Sequence, residues 1–251
     1  MSLESKIKKL VENKVEELGR PDLFRAPLVA FSSVDDERFL ELKQLIGDWH
    51  LTPKELLPEA KSVISYFVPF TKEVVMNPKK MKDGSALWSE AYQEINAYFD
   101  VINEAIKSYL ESEGYLVMTI KSTHTYDPKD LKATWSHRSA AVIAGLATLG
   151  ANRLAITEKG SGGRFCTVIT SAELEPNPAP IEEKCMYKKN GSCGLCFKAC
   201  PIGALKSDGL DKFACQDELN KNQDLLRKET TLVDADTCGK CISACPLAYI
   251  D

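Results

Sequence analysis

Two copies of one cysteine pattern constrain this chain more than any other feature. "CGLCFKACP" (193–201) and "CGKCISACP" (238–246) agree at six of nine positions, including every cysteine and both prolines. Each copy reads Cys-x2-Cys-x3-Cys-Pro, and each has one further cysteine upstream. For the first copy this is Cys185, with seven residues before Cys193; for the second it is Cys215, with 22 residues before Cys238. The thiols therefore form two sets of four. Short gaps let neighbouring thiolates wrap one metal cube while the intervening N–H groups point at its sulfurs. Proline after the last cysteine removes a donor and turns the chain away from the metal.

Bacterial iron–sulfur runs read Cys-x2-Cys-x2-Cys-x3-Cys-Pro. Here Asn190 stands where the first cysteine of such a run would sit, and Cys185 takes over across the insert "MYKKNGS". In two-cluster ferredoxins the last cysteine of each run ligates the other cluster. By that rule one 4Fe-4S cluster takes Cys185, Cys193, Cys196 and Cys245, and the other takes Cys200, Cys215, Cys238 and Cys241. The alternative is zinc, which paired Cys-x2-Cys elements also bind. The x3-Cys-Pro extension in both copies, and eight ligands where one zinc needs four, favour two clusters. Crowded cysteines in a reducing compartment read as metal ligands instead of disulfides. The ninth cysteine, Cys166, lies in an apolar strand and reads as a small core residue.

At 251 residues, 44% of them hydrophobic and 27% charged, the chain can bury a real core. A net charge of −4 argues against a broadly basic nucleic-acid surface. No apolar run is long enough to span a bilayer, and "MSLESKIKKLVENK" lacks the apolar middle of a signal peptide, so a cytoplasmic protein is expected. Ile7, Leu10, Val11, Val15 and Leu18 share a helical face. "PLVAF" (27–31), "SVISYFVPF" (62–70) and "YLVMTIKS" (115–122) read as strands; residues 88–113 and the small-residue stretch 136–150 read as helices. "RLAIT" and "RFCTVIT" read as strands joined by the turn "EKGSGG". The expectation is an α+β layered domain over residues 1–178, a Pro-rich connector (173–184), and a small two-cluster domain over residues 179–251.

Upstream segments narrow this further. "LTPKELLPEAKSVISYFVPF" (51–70), "GLATLGANRLAI" (145–156) and "GGRFCTVITSAEL" (162–174) resemble stretches of the epoxyqueuosine reductase family, a relative of the reductive dehalogenases. The resemblance covers roughly residues 50 to 250. It implies a nitroreductase-like α+β domain that binds cobalamin, and an appended ferredoxin-like domain that passes electrons to the cobalt. Three departures stand out. The first cluster run has x7 in place of x2. The chain ends five residues after Pro246, so the family's C-terminal helical repeats, which help to hold tRNA, are expected to be absent. The family's proton-donating acid aligns near Leu131, with Asp130 an approximate match. These departures weigh against tRNA as a partner.

The stretch "THTYDPKDLKATWSHRSA" (123–140) is the most chemically varied before the connector. Reduction of an oxidised substrate needs a proton donor as the leaving group departs, and Tyr126, Asp130 and His137 are the candidates, with His124 nearby. His137 opens a helix, whose dipole would keep it neutral, and Ser136 suits the N-cap. Arg138, Gly160, Gly162, Gly163 and Arg164 are candidate cofactor-binding residues, the glycines through backbone N–H groups; the same turn also fits a plain hairpin connection. His50 beside Trp49 reads as structural or surface. The leading expectation is an epoxyqueuosine reductase-like iron–sulfur oxidoreductase. It would take electrons from an external flavodoxin- or ferredoxin-type donor and act on a small-molecule or modified-nucleoside substrate, without a membrane. A flavin is the alternative to the corrinoid. A non-catalytic electron carrier, a corrinoid-reactivating protein or a zinc-stapled module are the alternative functions.

Overall fold

In the computed structural model, which describes every residue except His124 and Pro180, β2 (Ser62–Pro69) is the spine. All eight of its residues are buried. It pairs antiparallel with β1 (Leu28–Ser33) and with β8 (Gly163–Thr170), and β3 (Val117–Thr119) closes the far edge of β8, giving the order β1-β2-β8-β3. Two short ribbons flank this sheet, β4 (Tyr126–Asp127) with β5 (Lys132–Ala133) and β6 (Thr148–Leu149) with β7 (Ala155–Ile156).

Side-chain alternation along the strands sends two apolar sets to opposite faces. Ile64, Tyr66 and Val68 of β2, with Cys166 and Val168 of β8, face a core that includes Ile7 and Val11 of α1 (Leu3–Glu17) and Ile95, Phe99, Ile102 and Ile106 of α5 (Ala86–Ser112). Val63 and Ile169 face Ala140 and Ile143 of α6 (His137–Ile143), and Phe67 stacks on Phe165 at 4.4 Å over Ala141. The result is a helix–sheet–helix sandwich, with the short helices α2 (Arg38–Ile46), α3 (Pro53–Leu56) and α4 (Lys72–Met76) at its rims. The α+β class expected from the sequence is the one observed.

Four local expectations shift. The second helix starts two residues earlier than its apolar pattern suggests, because Ser85 caps it by accepting the Trp88 N–H. The strand of 115–122 shortens to three residues. The small-residue stretch ends its helix at Ile143, where Gly145 turns left-handed (φ 70°) against the Pro178 carbonyl, and residues 148–156 form the β6–β7 hairpin instead. Finally, β7 and β8 do not pair with each other; the segment between them closes on itself at Thr157 and Gly160.

Beyond the connector come α7 (Met186–Asn190), α8 (Leu195–Lys198), α9 (Lys212–Glu229) and α10 (Lys240–Ser243). The connector lies along β1, with Asn177 accepting from the Phe31 N–H and donating to the Phe31 carbonyl, both at 2.9 Å. Ile242, Cys245, Ala248 and Tyr249 pack into the α1/α5 core. The cysteine-rich segment therefore shares its apolar foundation with the sandwich.

One polar network crosses that core. The buried Tyr66 hydroxyl donates to Asn103 Oδ1 at 2.8 Å, and Asn103 Nδ2 donates to Cys166 Sγ at 3.4 Å. Burial pushes the Cys166 thiol up, so it stays protonated and unreactive, in keeping with its reading as a core residue. Replacing Asn103 with Ala strands the Tyr66 hydroxyl and should cost about 1–3 kcal/mol in urea unfolding. Adding Tyr66→Phe should recover part of that loss; a purely additive double mutant would refute the coupling.

Candidate functional site

The cysteine segment sets its thiols into two neighbourhoods. Burial pushes the thiols of Cys196 and Cys245 up, and each is raised further by Cys185 and Cys193. Burial likewise raises Cys215 and Cys238, and Cys241 to about 12; all three feel Cys200, Cys215 also feels Cys238, and Cys241 feels both Cys238 and Cys215. Cys200 is thus felt by all three thiols of the second group and Cys245 feels three thiols of the first run, while Cys241 also feels Cys196. Helices α8 and α10, which carry the two repeats, lie against each other. Backbone N–H groups already point at sulfur: Ala151 donates to Cys185 Sγ at 3.4 Å and Leu205 to Cys200 Sγ at 3.5 Å.

Among the described residues, no three His, Cys, Asp or Glu side chains converge closely enough for a single metal ion. One tetrahedral zinc would hold every sulfur about 2.3 Å from itself. A four-iron cube takes one cysteine sulfur on each of its irons, and the eight thiols of this segment offer that donor chemistry.

On the α6 face of the sandwich a second constellation forms. Ser136 caps α6, accepting the Ser139 N–H. The first helical residue, His137, uses both ring nitrogens: Nδ1 lies 2.8 Å from Thr167 Oγ1 and Nε2 lies 3.0 Å from the Lys121 carbonyl. A carbonyl can only accept, so the proton sits on Nε2. Thr167 accepts from Trp135 Nε1 at 2.9 Å and gives its own proton to Nδ1. Burial, with Arg164 nearby, lowers the His137 pKa to about 4. The ring is neutral as the sequence reading expected, but desolvation is the principal cause and the helix dipole is not needed.

Arg164 leaves β8 to lie over the Tyr92 ring at 4.6 Å and donates to Asn96 Oδ1 at 3.0 Å. Tyr92 and Asn96 stand one turn apart on α5, and Tyr92 meets Thr123 Oγ1 at 3.1 Å. Arg138 keeps solvent access although protein surrounds it on most sides, as in the wall of a cleft, and burial with Arg164 holds its guanidinium below its usual range. It donates to the Arg153 carbonyl at 2.9 Å. Tyr126 borders the same wall: burial, Asp236 and Tyr92 push its phenol up. The Asn96 Nδ2 atom is buried with no partner among the described residues.

Other sequence candidates land elsewhere. Asp130 pairs with Lys132, Oδ2 to Nζ at 2.9 Å, which holds its carboxyl below the usual carboxylate range and makes it a poor acid at neutral pH. The turn at Gly160–Gly163 faces the chain's own last residues. The Ser161 and Gly162 N–H groups donate to the Ala248 carbonyl at 3.1 and 2.9 Å, and Gly163 is paired with Pro69 inside the sheet. His50 is buried and stacked on Trp135 at 5.8 Å. His124 lies outside the described residues. Sequence reading missed Tyr92, Asn96 and Thr167; the four-residue spacing of the first two on one helical face was the available signal. A surface depression lined by residues including Ile202, Lys206 and Leu210 shares none of these side chains.

Fold and site together define a class: a mixed α/β sandwich joined to a duplicated cysteine segment. By sequence and by fold the chain is similar to epoxyqueuosine reductases. No family model matches it. It is 29% identical over 188 residues to the epoxyqueuosine reductase of Bacillus subtilis, covering 71% of this chain and 44% of that protein. It is 33% identical over 177 residues to that of Listeria monocytogenes, covering 69% and 44%. The matched stretch thus spans less than half the length of these relatives. Among solved structures, the epoxyqueuosine reductase of Streptococcus thermophilus superposes with a TM-score of 0.61 at 21% identity, over 100% of this chain and 68% of that one. That of Bacillus subtilis, solved with its aspartate-bearing catalytic loop swung out of the active site, gives 0.56 at 22%, over 96% and 66%. An epoxyqueuosine reductase solved with an epoxyqueuosine-modified tRNA stem loop gives 0.56 at 23%, over the same shares. These likenesses are of fold.

The His137 shift has a consequence for stability. Its folded pKa lies below the unfolded value of 6.5, so between pH 6.5 and about 4 the unfolded chain binds a proton that the folded chain refuses. Stability is therefore full above that window and falls as pH drops through it. His50, also lowered by burial, acts in the same direction. The urea midpoint should drop from pH 7 to pH 5, and His137→Gln should shrink that drop; an unchanged drop would show that this ring does not titrate as described.

Proposed function

We propose that the chain is an iron–sulfur oxidoreductase with a nitroreductase-like domain over residues 1–178 and a two-cluster ferredoxin-like domain over residues 179–251. The observation that carries the reading is the crossed grouping of the thiols. In it Cys185, Cys193, Cys196 and Cys245 hold one 4Fe-4S cluster, and Cys200, Cys215, Cys238 and Cys241 hold the other. The similarity to epoxyqueuosine reductases supports a corrinoid against the wall of Arg138, Arg164 and Asn96, whose donors suit its amide and phosphate oxygens. When bound, the clusters supply one-electron steps and the corrinoid a strongly reducing centre.

The chain's own residues bind, orient and hold protons. Arg138 and Arg164 carry the positive charge of the wall. His137, with both nitrogens committed, orients and excludes water. Tyr126 keeps its proton at neutral pH and is the proton donor; Asp130, held ionised by Lys132, is not. A flavodoxin- or ferredoxin-type protein supplies the electrons. The tRNA stem loop bound by a structural relative supports a modified nucleoside as the substrate class, one of the two classes the sequence suggested, and weighs against the sequence-based doubt about tRNA. No described helix is long and apolar enough to cross a membrane.

Anaerobic reconstitution tests the reading. Wild-type protein should hold about eight irons per chain, the content of two four-iron clusters. Cys245→Ala should remove the cluster signal that Cys193→Ala removes, and Cys200→Ala the one that Cys238→Ala removes; loss of run-mates together would overturn the crossing. Iron without a shift of the corrin absorption on adding cobalamin would leave only an electron carrier. Tyr126→Phe should slow turnover by about 100-fold or more, with cluster content unchanged.

A further inference from the structure

Between the polar wall and the cysteines stands the β6–β7 hairpin, and its tip, residues 150–153, touches both. The tip is a tight turn, closed by Gly150 N–H to the Leu154 carbonyl at 2.7 Å and by Arg153 N–H to the Gly150 carbonyl at 3.0 Å. Arg153 adopts a left-handed conformation (φ 64°), which is unusual for a residue with a side chain. Turned this way, the tip offers three groups outward. The Ala151 N–H meets Cys185 Sγ at 3.4 Å, the side-chain amide of buried Asn152 reaches the Cys241 carbonyl at 3.5 Å, and the Arg153 carbonyl accepts from Arg138. The hairpin's base is tied to the same segment. Lys188 Nζ donates to the Leu149 carbonyl at 2.8 Å and the Lys184 N–H to Thr148 Oγ1 at 3.2 Å.

We propose that this tip is a positioning and potential-setting element, in which the Ala151 N–H tunes the cluster ligated by Cys185, Arg153 ties the tip to the Arg138 wall, and Asn152 holds the tip's seat by its bond to the Cys241 carbonyl of the neighbouring run. The proposal rests on the reading of Cys185 as a cluster ligand. Reduction adds negative charge that is shared by the cysteine sulfurs, so an N–H aimed at one of them stabilises the reduced cluster and raises its potential. The donor comes from the sandwich and not from the cysteine runs. One of the two potentials is therefore set by how the hairpin seats, and the hairpin is held in turn by Arg138.

Removing the donor tests this. In anaerobically reconstituted protein, Ala151→Pro deletes the N–H and stiffens the backbone at that position, and redox titration followed by electron paramagnetic resonance reads both clusters. The expected result is a lower midpoint potential for the cluster lost in Cys193→Ala, with the other potential unmoved. Asn152→Ala, which loosens the tip without removing the N–H, should shift the same cluster in the same direction by less. It carries the test if the proline variant fails to load iron. Fully loaded variants whose two potentials match wild type, or move together, overturn the proposal. Wild-type protein that takes up no iron would instead overturn the cluster reading itself.

Discussion

The return of residues 245–250 onto the turn at Gly160–Gly162 is the contact on which the rest of the arrangement depends. Ser161 and Gly162 donate to the Ala248 carbonyl, and Ala248 is wholly buried in the α1/α5 core. Arg25 completes the seat: its guanidinium lies over the Tyr249 ring at 4.4 Å and donates to the Ile250 carbonyl at 2.7 Å. No side chain is tolerated at Gly160, since a Cβ there would stand 2.5 Å from the Ala248 carbonyl oxygen and its φ is 99°. Cys245 lies three residues before this anchor, and Gly239, between Cys238 and Lys240, abuts the Trp88 ring. Both ends of the second cysteine run are thereby fixed to the sandwich. Cys185, Cys193 and Cys196 gather round Cys245, so their position follows from the same seat.

This explains which parts of the molecule could be read from the sequence. Spacing of Cys-x2-Cys-x3-Cys is a local geometric requirement, so the duplicated set and its two upstream partners were visible without any fold. The strands at 28–33 and 62–69 carry dense apolar runs, and α5 a long 3.6-residue stripe, because each must bury a whole face. The glycine turn misled because its partner lies some eighty residues away, and no local pattern announces a carbonyl arriving from that distance. "GLATLG" misled for the opposite reason: its small apolar residues fit a helix, and the left-handed Gly145 beside Pro178 that ends it is a tertiary fact. Helix α9 was invisible because only Asn222 and Leu226 are buried along it.

The polar wall was half legible. His137, Arg138 and Arg164 stood out as charged or titratable groups among apolar neighbours. Their partners did not, since Thr167, Tyr92 and Asn96 are unremarkable one by one and acquire meaning only where β8, α5 and α6 meet. Register decides this: Cys166 faces α5 and the apolar core, whereas Thr167, one residue on, faces α6 and takes the Trp135 and His137 bonds.

Two neighbouring guanidinium groups oppose each other, and burial and Arg164 both work against the charge on Arg138. Among the described residues neither has a carboxylate partner: Arg164 leans on a ring face and an amide oxygen, and Arg138 on a main-chain carbonyl. Dipoles and a π face relieve part of the repulsion and leave the positive potential standing. A wall built this way favours an occupant rich in acceptor oxygens or negative charge, and it favours that occupant most when reduction adds an electron to it. The buried, unpartnered Nδ2 of Asn96 points to the same need for an acceptor.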